Sequence, residues 1–213
     1  MATTTASPIS ARDQILDAAE SLFARKGFDP TTIKEIGAAA GQNPALLYYY
    51  FGSKEALYRA VLQRIVAGLV ARGTAGLESA RTPADAIRTL VTTQVEFLLT
   101  HPSAPKLFVR EMIDHDARHA EAMILQVATG LFGRLCAVIE QGQRSGVFRS
   151  DVEARFAAVS CIAQVVYFML ARPAVGVFFG LGPDGVPDAM VRRFGRHAGD
   201  FAIQALSPRE RSA

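Results

Sequence analysis

Apolar side chains recur at spacings of three and four residues along most of this chain, which is the period of a helix with one buried face. In the first such segment Ser10 can serve as the N-cap, and Lys26-Gly27 ends the pattern. Its apolar face consists of Ile15, Leu16, Ala19, Leu22 and Phe23. Period-two alternation, which would indicate strands, is rare. The pattern therefore predicts an all-α protein.

Further segments with the helical period are bounded by capping residues, glycine or proline. Two of them begin with a capping box, in which Thr32 pairs with Glu35 and Ser150 pairs with Glu153. We expect helices over about 33–40, 44–51, 54–73, 83–100, 104–114, 117–145, 151–171 and 188–206.

The two shortest of these helices are joined by a tight turn. Gly41 stops the first helix, and Asn43 followed by Pro44 begins the second. Two short helices separated by such a turn form a helix-turn-helix, whose second helix can enter the major groove of DNA. We therefore predict an N-terminal three-helix DNA-binding domain joined to a larger C-terminal helical bundle.

A change of composition marks the boundary between these two parts. The stretch from Gly73 to Pro83 reads GTAGLESARTP, in which small and polar residues interrupt the helical pattern. We place a flexible arm at 1–9 and the helix-turn-helix domain at 10–56. A linking helix follows at 54–73, then the second domain at 74–206 and a polar tail at 207–213.

The charge of the chain favours a nucleic-acid partner only weakly. The net charge is +3, and the isoelectric point is near 9.1. Residues 1–60, however, contain six Lys/Arg and six Asp/Glu, so their net charge is zero. Any affinity for DNA must therefore depend on where charges and backbone donors lie, because this region is not basic as a whole.

Cysteine usage and hydropathy both suit a soluble protein of the cytoplasm. Cys136 and Cys161 lie in apolar helical patterns, and no Cys-x-x-Cys spacing occurs, so we expect two buried, reduced thiols. The first ten residues do not have the basic and apolar regions of a secretory signal. The longest apolar stretch, Ala154–Ala171, contains Arg, Ser and Gln and reads as a buried core helix.

No motif indicates an enzyme. The chain contains no Gly-x-Ser-x-Gly, no His-Glu-x-x-His and no Gly-Lys-Ser/Thr phosphate loop. Glu111, His115 and His119 have metal-ligand spacing for one helix face. Asp114–Ala117, however, reads as a junction between two helices that would spoil this geometry. We therefore interpret these residues as a solvated or ligand-lining polar cluster, and we expect no metal site and no cofactor.

Positions 12–62 resemble the DNA-binding domain of TetR-family (tetracycline-repressor-like) regulators. The matching residues are Ile15, Leu16, Ala19, Leu22, Phe23, Gly27, Thr31, Thr32, Ile36, Ala40, Gly41, Leu47, Tyr48, Tyr49, Phe51, Ser53, Lys54, Glu55 and Leu57. The match covers about a quarter of the chain, and the rest is similar to the family only in architecture. The resemblance implies an all-helical homodimer that usually represses transcription. It also implies that a small effector binds the larger domain, changes the spacing of the two DNA-binding heads and releases the DNA.

Ten residues are candidates for DNA contact. Thr32 and Lys54 suit phosphate contacts near helix N-termini, and the start of the second short helix projects toward base edges. The full set is Thr32, Gln42, Asn43, Pro44, Ala45, Leu46, Tyr48, Tyr49, Tyr50 and Lys54. The alternatives are that Asn43 only caps its helix, that the tyrosines fill the core, and that Lys54 is a solvated surface residue.

The C-terminal domain offers candidates for two further sites. Large apolar side chains between its helices could line a pocket for a hydrophobic effector or simply fill the core: Phe97, Phe108, Met112, Met123, Phe132, Phe168 and Met169. A twofold contact between Val152–Ala171 and Asp188–Leu206 of each subunit could bury an apolar stripe formed by Phe194, Ala198, Phe201 and Ala205.

The leading hypothesis is a ligand-released repressor that binds a palindromic operator as a homodimer. Its half-sites would lie about 34–36 Å apart or at a multiple of that distance. An activator or ligand-independent DNA binder is the first alternative. A small-molecule-binding helical protein with a degenerate DNA-binding head is the second, because Pro44 and Leu46 depart from the residue types usual in the family and the head has no net charge.

Overall fold

The computed structural model describes residues 10–182 and 185–208, and every regular element within these ranges is helical. The α-helices are α1 (Ala11–Lys26), α2 (Ile33–Ala40), α3 (Pro44–Phe51), α4 (Lys54–Ser79), α5 (Pro83–Thr100), α6 (Ala104–Asp114), α7 (Glu121–Val127), α8 (Gly133–Arg144), α9 (Ala154–Leu170), α10 (Arg172–Phe178) and α11 (Asp188–Leu206). A π-helical segment, Ala128–Phe132, connects α7 to α8. The all-α prediction is confirmed. The arm at 1–9 and most of the tail lie outside the described residues.

The caps predicted for the first helices are present. Ser10 accepts a hydrogen bond from the backbone N–H of Asp13, and Thr32 forms a complete capping box with Glu35. Gly41 ends α2 in the left-handed region, with φ of 64°. These local interactions explain why the boundaries of short helices could be derived from sequence.

The helix predicted from about 117 to 145 is a continuous helical run, Glu121–Arg144, which starts four residues later and contains a π-helical segment. Asp116 and Ala117 have φ of 49° and 63°, in the left-handed region that non-glycine residues rarely adopt. A right-handed helix cannot pass through them, and α7 begins after them, at Glu121. The π-helical segment that follows brings Leu131 against Gly73 of α4, where an added Cβ would lie 2.6 Å from Leu131.

Two further details around α9 were wrong or missing in the sequence prediction. The Ser150–Glu153 capping box does not form, because Glu153 is the N-cap and makes no side-chain capping bond. Its carboxylate instead pairs with Arg155 at 2.6 Å. After α9 the chain forms the separate helix α10, with a proline in its first turn, in a segment to which no helix had been assigned.

Contacts divide the chain into two compact units. The N-terminal unit comprises the residues up to Arg64 together with Lys106–Glu121, and the larger unit comprises Ile65–Pro105 and the residues from Ala122 onward. The sequence had placed this boundary after residue 73 and had assigned 106–121 to the larger domain.

Each unit has its own apolar core. In the N-terminal unit the rings of Phe23, Phe28 and Tyr58 pack together, with Phe23 edge-on to Tyr58 at 5.0 Å between centroids. In the larger unit α11 packs along α5 and α9, and α8 packs against α5 and α9. Both cysteines are buried and free, as predicted.

Within the residues that the structure describes, one continuous run of helix has the length and hydropathy of a membrane span, and the bent pair of α9 and α10 passes the same test if it is counted as one span. The continuous run covers Glu121–Arg144, which includes α7, the π-helical segment and α8. Leu131, Leu135 and Ile139 from this run are buried in the larger unit. The core helix of a soluble protein has the same length and composition, so this feature is weak evidence for a membrane.

Candidate DNA-binding site

The turn between α2 and α3 depends on a glycine that the sequence analysis did not single out. The backbone N–H of Gln42 donates to the carbonyl of Gly37 at 2.8 Å. A Cβ on Gly37 would lie 2.8 Å from the Gln42 carbonyl oxygen. Any side chain at this position would therefore push the turn away from α2, so Gly37 sets how closely α3 can approach.

Helix α3 buries one residue and exposes its aromatic face. Leu47 is 1% exposed, whereas Tyr49 is 79% exposed. Tyr48 and Tyr50 are also exposed, and the rings of Tyr49 and Tyr50 meet edge to face with centroids 5.3 Å apart. The interpretation of the three tyrosines as core residues is therefore wrong. Their hydroxyl groups are accessible to phosphates and bases.

The N-terminus of α3 is capped and open to solvent. The Asn43 side chain accepts a hydrogen bond from the Ala45 N–H at 2.9 Å, so it does act as the N-cap. The Gln42 amide donates to the Gln14 side chain of α1 at 2.8 Å. Pro44 and Ala45 are exposed, and Leu46 is half-buried. The part of α3 free to meet DNA is thus formed by small and apolar residues followed by tyrosines.

The groups of Thr32 that could hold a phosphate already have a partner. The backbone N–H of Thr32 donates to the Glu35 carboxylate at 2.9 Å, and the Thr32 hydroxyl lies 3.0 Å from the same oxygen. Lys26 also contacts this carboxylate, at 2.5 Å. The hydrogen bond from Lys26, followed by those from Thr32, lowers the pKa of Glu35 to about 2. Thr32 remains exposed, but a phosphate would have to compete with Glu35 for these donors.

Lys54 has a structural role that the sequence did not reveal. Its ammonium group donates to the backbone carbonyls of Phe28, Asp29 and Thr31, each at 3.1 Å. The same nitrogen lies 4.3 Å from the centre of the Phe28 ring. An ammonium group has three N–H donors, so all of them are used in holding the connection between α1 and α2. The solvated-lysine alternative is therefore wrong, and a direct phosphate contact is not favoured.

Several charges of the N-terminal unit neutralise one another. Arg64 of α4 pairs with Asp17 at 2.7 Å and with Glu20 at 2.8 Å, both on α1. Arg12, in contrast, stacks on the Phe51 ring at the end of α3, 5.4 Å from its centre. Arg12 is exposed, and it is a candidate phosphate contact that the sequence analysis missed. Its place in the first turn of α1 gave no sign that it would reach α3.

Two family models match the two parts of the chain. Residues 15–61 match the model described as bacterial regulatory proteins of the tetR family. Residues 83–200 match the model of the tetracyclin repressor-like C-terminal domain. The chain belongs to the TetR family. It is a DNA-binding transcriptional regulator and not an enzyme.

Curated relatives of this TetR-family chain include two named repressors. It is 36% identical over 160 residues to the transcriptional repressor NicS of Pseudomonas putida, covering 74% of each chain. It is 30% identical over 150 residues to the repressor KstR2 of Rhodococcus jostii, covering 68% of this chain and 72% of the relative.

Solved structures show the same fold at lower identity. A TetR-family regulator from Rhodococcus RHA1 gives a TM-score of 0.77 at 20% identity, covering 95% of this chain and 100% of that chain. The regulator PfmR from Thermus thermophilus gives a TM-score of 0.74 at 22% identity, covering 98% of this chain and 100% of that chain. These similarities establish the fold.

The residues predicted to line an effector pocket fall in both compact units of the regulator. Phe97, Met123, Phe132, Phe168 and Met169 belong to the larger unit. Phe108 and Met112 belong to the N-terminal unit, and Met112 is exposed.

Two members of this set have ring partners inside the larger unit. Phe97 stacks on His101 at 4.2 Å and is almost fully buried. Phe168 stacks on Phe194 at 4.0 Å, beside an open groove of ≈ 350 Å³ on α9 and α11.

Helices α9 and α11 expose a continuous apolar face. Phe201 is 55% exposed, and Phe156, Val159 and Tyr167 of α9 are also exposed. Ala198 does not belong to this face: it is 1% exposed and lies inside its own chain. The stripe available to a partner therefore contains Phe194, Phe201 and Ala205, whereas Ala198 shares their side of α11 but is covered by its own chain.

Proposed function

We propose that this protein is a repressor that binds a palindromic operator as a homodimer and is released from it by a small, hydrophobic effector. The observation that carries the DNA-binding part is the exposed, capped α3 helix with its aromatic face. The names of the relatives NicS and KstR2, both repressors, support negative control. A bacterial regulator of this kind works in the cytoplasm.

The apolar face of α9 and α11 supports the dimer. Monomeric proteins seldom leave several large apolar side chains exposed on adjoining helices. Phe156 of α9 and Phe201 of α11 line one groove of ≈ 240 Å³ on this face. Pairing this face with its copy about a twofold axis would bury these side chains and give two DNA-binding heads.

The release mechanism is a population shift. An effector that binds one arrangement of the two heads more tightly than the other shifts the dimer toward that arrangement. If the favoured spacing does not match the operator half-sites, affinity for DNA falls. A ligand that binds the protein and leaves operator affinity unchanged would contradict this mechanism.

A charge introduced at the start of α3 tests the DNA-binding surface. In Ala45→Glu a carboxylate would face the DNA phosphates and repel them. The helix dipole stabilises a negative charge in the first helical turn, so the variant should keep its fold. The exposed α4 residue Ala67 supplies the matched control, Ala67→Glu. We expect fluorescence anisotropy with DNA from upstream of the gene to show a loss of at least about tenfold for Ala45→Glu only.

If the wild type and Ala45→Glu bound the upstream DNA with equal affinity, α3 would not be part of the DNA interface. Repression is tested separately by deleting the gene and measuring transcripts of its neighbours. A rise supports repression, whereas a fall would identify an activator. A wild-type protein that binds none of the upstream fragments at low salt would favour a degenerate head.

A further inference from the structure

A buried polar cluster lies in the N-terminal unit, in α6 and the turn that follows it. Glu111 is 0% exposed, His115 is buried, and the side chain of His119 is 8% exposed. Each residue offers one ligand atom, and the three atoms lie within 4.8 Å of one another. A buried carboxylate is costly unless it is hydrogen-bonded, paired or bound to a cation, so the groups around Glu111 must offset this cost.

The break after α6 assembles this cluster. Asp116 and Ala117 adopt left-handed φ, and the Ala117 N–H donates to the Glu111 carbonyl at 3.0 Å. The chain then doubles back, so that the His119 N–H donates to one Glu111 carboxylate oxygen at 2.7 Å. The His119 Nδ1 lies 3.2 Å from the other oxygen. The helix junction at Asp114–Ala117 argued against a shared site when only the sequence was considered. In the structure, this junction brings the three residues together.

Backbone strain of this kind marks positions that the surrounding structure holds in place. A non-glycine residue in the left-handed region costs about 1–3 kcal/mol, and such residues cluster at ligand sites. Asp116 and Ala117 are consecutive, and the strained turn brings no apolar side chain into the core at either position. Its visible result is the approach of His119 to Glu111.

Aromatic side chains enclose the cluster. The Phe28 ring lies 5.6 Å from the His115 ring and 5.0 Å from the His119 ring, measured between centroids. Tyr58 packs edge-on to His119 at 5.5 Å and hydrogen-bonds Glu111 through its hydroxyl. This hydrogen bond orients the carboxylate, as an outer-sphere partner of a metal ligand would.

We propose that Glu111, His115 and His119 form a binding site for one divalent transition-metal ion of the zinc class. Two imidazoles and one carboxylate are a ligand set suited to Zn²⁺ and similar borderline ions, with a water in the fourth position. The ion would enter between His119 Nδ1 and the Glu111 carboxylate and replace their hydrogen bond with metal–ligand bonds. It would also balance the buried negative charge.

The site adjoins the connection between α1 and α2. Phe28, which forms one wall of the cluster, also offers its carbonyl and its ring to Lys54. A bound ion would thus stabilise the segment that joins the first two helices of the DNA-binding unit. Ion binding should raise the melting temperature of the full chain, since any ligand of the folded state does so.

The test uses tag-free, full-length protein treated with a chelator and then titrated with Co²⁺, with Zn²⁺ as competitor. We expect one ion per chain and visible Co²⁺ absorption that Zn²⁺ removes. Glu111→Gln and His119→Gln should weaken binding at least about tenfold. The chain has four histidines, so His101→Gln and His197→Gln are matched controls that should bind as the wild type does. Equal loss in the controls, or no saturable binding by the wild type, would overturn the proposal.

A second measurement on the wild type avoids dependence on variants that fail to fold. In ¹⁵N-histidine NMR spectra, Zn²⁺ should shift the imidazole signals of His115 and His119 and leave those of His101 and His197 in place. Signals that all stay unchanged, or shifts confined to His101 and His197, would overturn the site. Circular dichroism of each variant checks that lost binding is not lost structure.

Discussion

The ammonium group of Lys54 is surrounded by three backbone carbonyl oxygens, each 3.1 Å away. All three belong to the segment between α1 and α2, at Phe28, Asp29 and Thr31. These contacts use every donor of the lysine, so the residue connects α4 to the α1–α2 segment. At the scale of single residues, Lys54 is therefore explained by its role in folding.

Replacing Lys54 with methionine should reduce stability. The substitution keeps most of the aliphatic chain but leaves the three carbonyls without their charged donor, which should cost about 1–3 kcal/mol. Lys34→Met, at an exposed position of α2, makes the same charge change and should cost little. Thermal unfolding of both variants measures the difference. If Lys54→Met lost operator affinity at an unchanged melting temperature, the result would instead support the direct phosphate contact predicted from the sequence.

Glu35 should remain ionised in acid. Its pKa is lowered to about 2, first by the hydrogen bond from Lys26 and then by those from Thr32. Because the folded pKa lies below the ordinary value of 4.5, the stabilisation is complete above about pH 4.5 and disappears as the pH falls toward 2.

Carboxyl NMR titration measures this pKa. Two neighbouring basic residues of α1, Lys26 and Arg25, supply the test variant and its control. Lys26→Met should raise the pKa of Glu35, whereas Arg25→Met, one residue earlier in α1, should leave it unchanged. A Glu35 that titrates near 4.5 in the wild type would show that the ion pair with Lys26 does not form in solution.

At the scale of elements, glycines set how closely helices approach. Gly195 of α11 faces α5, where an added Cβ would lie 2.6 Å from Val95 Cγ2. One turn later Gly199 has more space, since its nearest neighbour would be Arg88 at 3.6 Å. From helix propensity alone, both glycines should weaken α11 equally. The packing distinguishes them, because only Gly195 lies too close to α5 for a side chain.

This pair gives opposite predictions for the same substitution. Gly195→Ala should destabilise the protein by about 1–3 kcal/mol, because α11 must move away from α5 or Val95 must change its rotamer. Gly199→Ala should stabilise it by about 0.5–1 kcal/mol, because alanine is the better helix former and only ordinary contacts result. Urea unfolding decides the sign of each effect. If both variants changed stability equally, the close contact with Val95 would be refuted.

At the scale of the whole molecule, the proposed dimer assigns the subunit contact to the exposed face of α9 and α11. Phe201→Glu should prevent the dimer, because a carboxylate would be buried without a partner at the twofold contact. Light scattering after size exclusion should give the mass of one chain, 22.9 kDa, in place of twice that value. Operator affinity should fall in parallel, since one head contacts only one half-site.

Leu125→Glu introduces the same charge on an exposed apolar residue of α7 and serves as the control for this assembly test. It should remain dimeric. A Phe201→Glu protein that retains the dimer mass would place the subunit contact elsewhere.

The sequence by itself determined the helices of the DNA-binding unit, their caps and the family. These features depend on interactions between residues at most four apart, such as Thr32 with Glu35 or Asn43 with the Ala45 N–H, and short spacings are readable in a linear string. The burial of Leu47 and the family pattern of α3 follow from the same local periodicity.

Only the tertiary structure decided which side chains meet. Lys54 finds its carbonyl partners 23 to 26 positions earlier, and Arg12 reaches Phe51 from another helix. Ala198 turns inward although it shares an apolar stripe with Phe201. The metal-type cluster depends on two left-handed residues, Asp116 and Ala117, that no propensity favours. Such contacts arise from the packing of distant segments and from backbone strain, and neither leaves a periodic trace in the sequence.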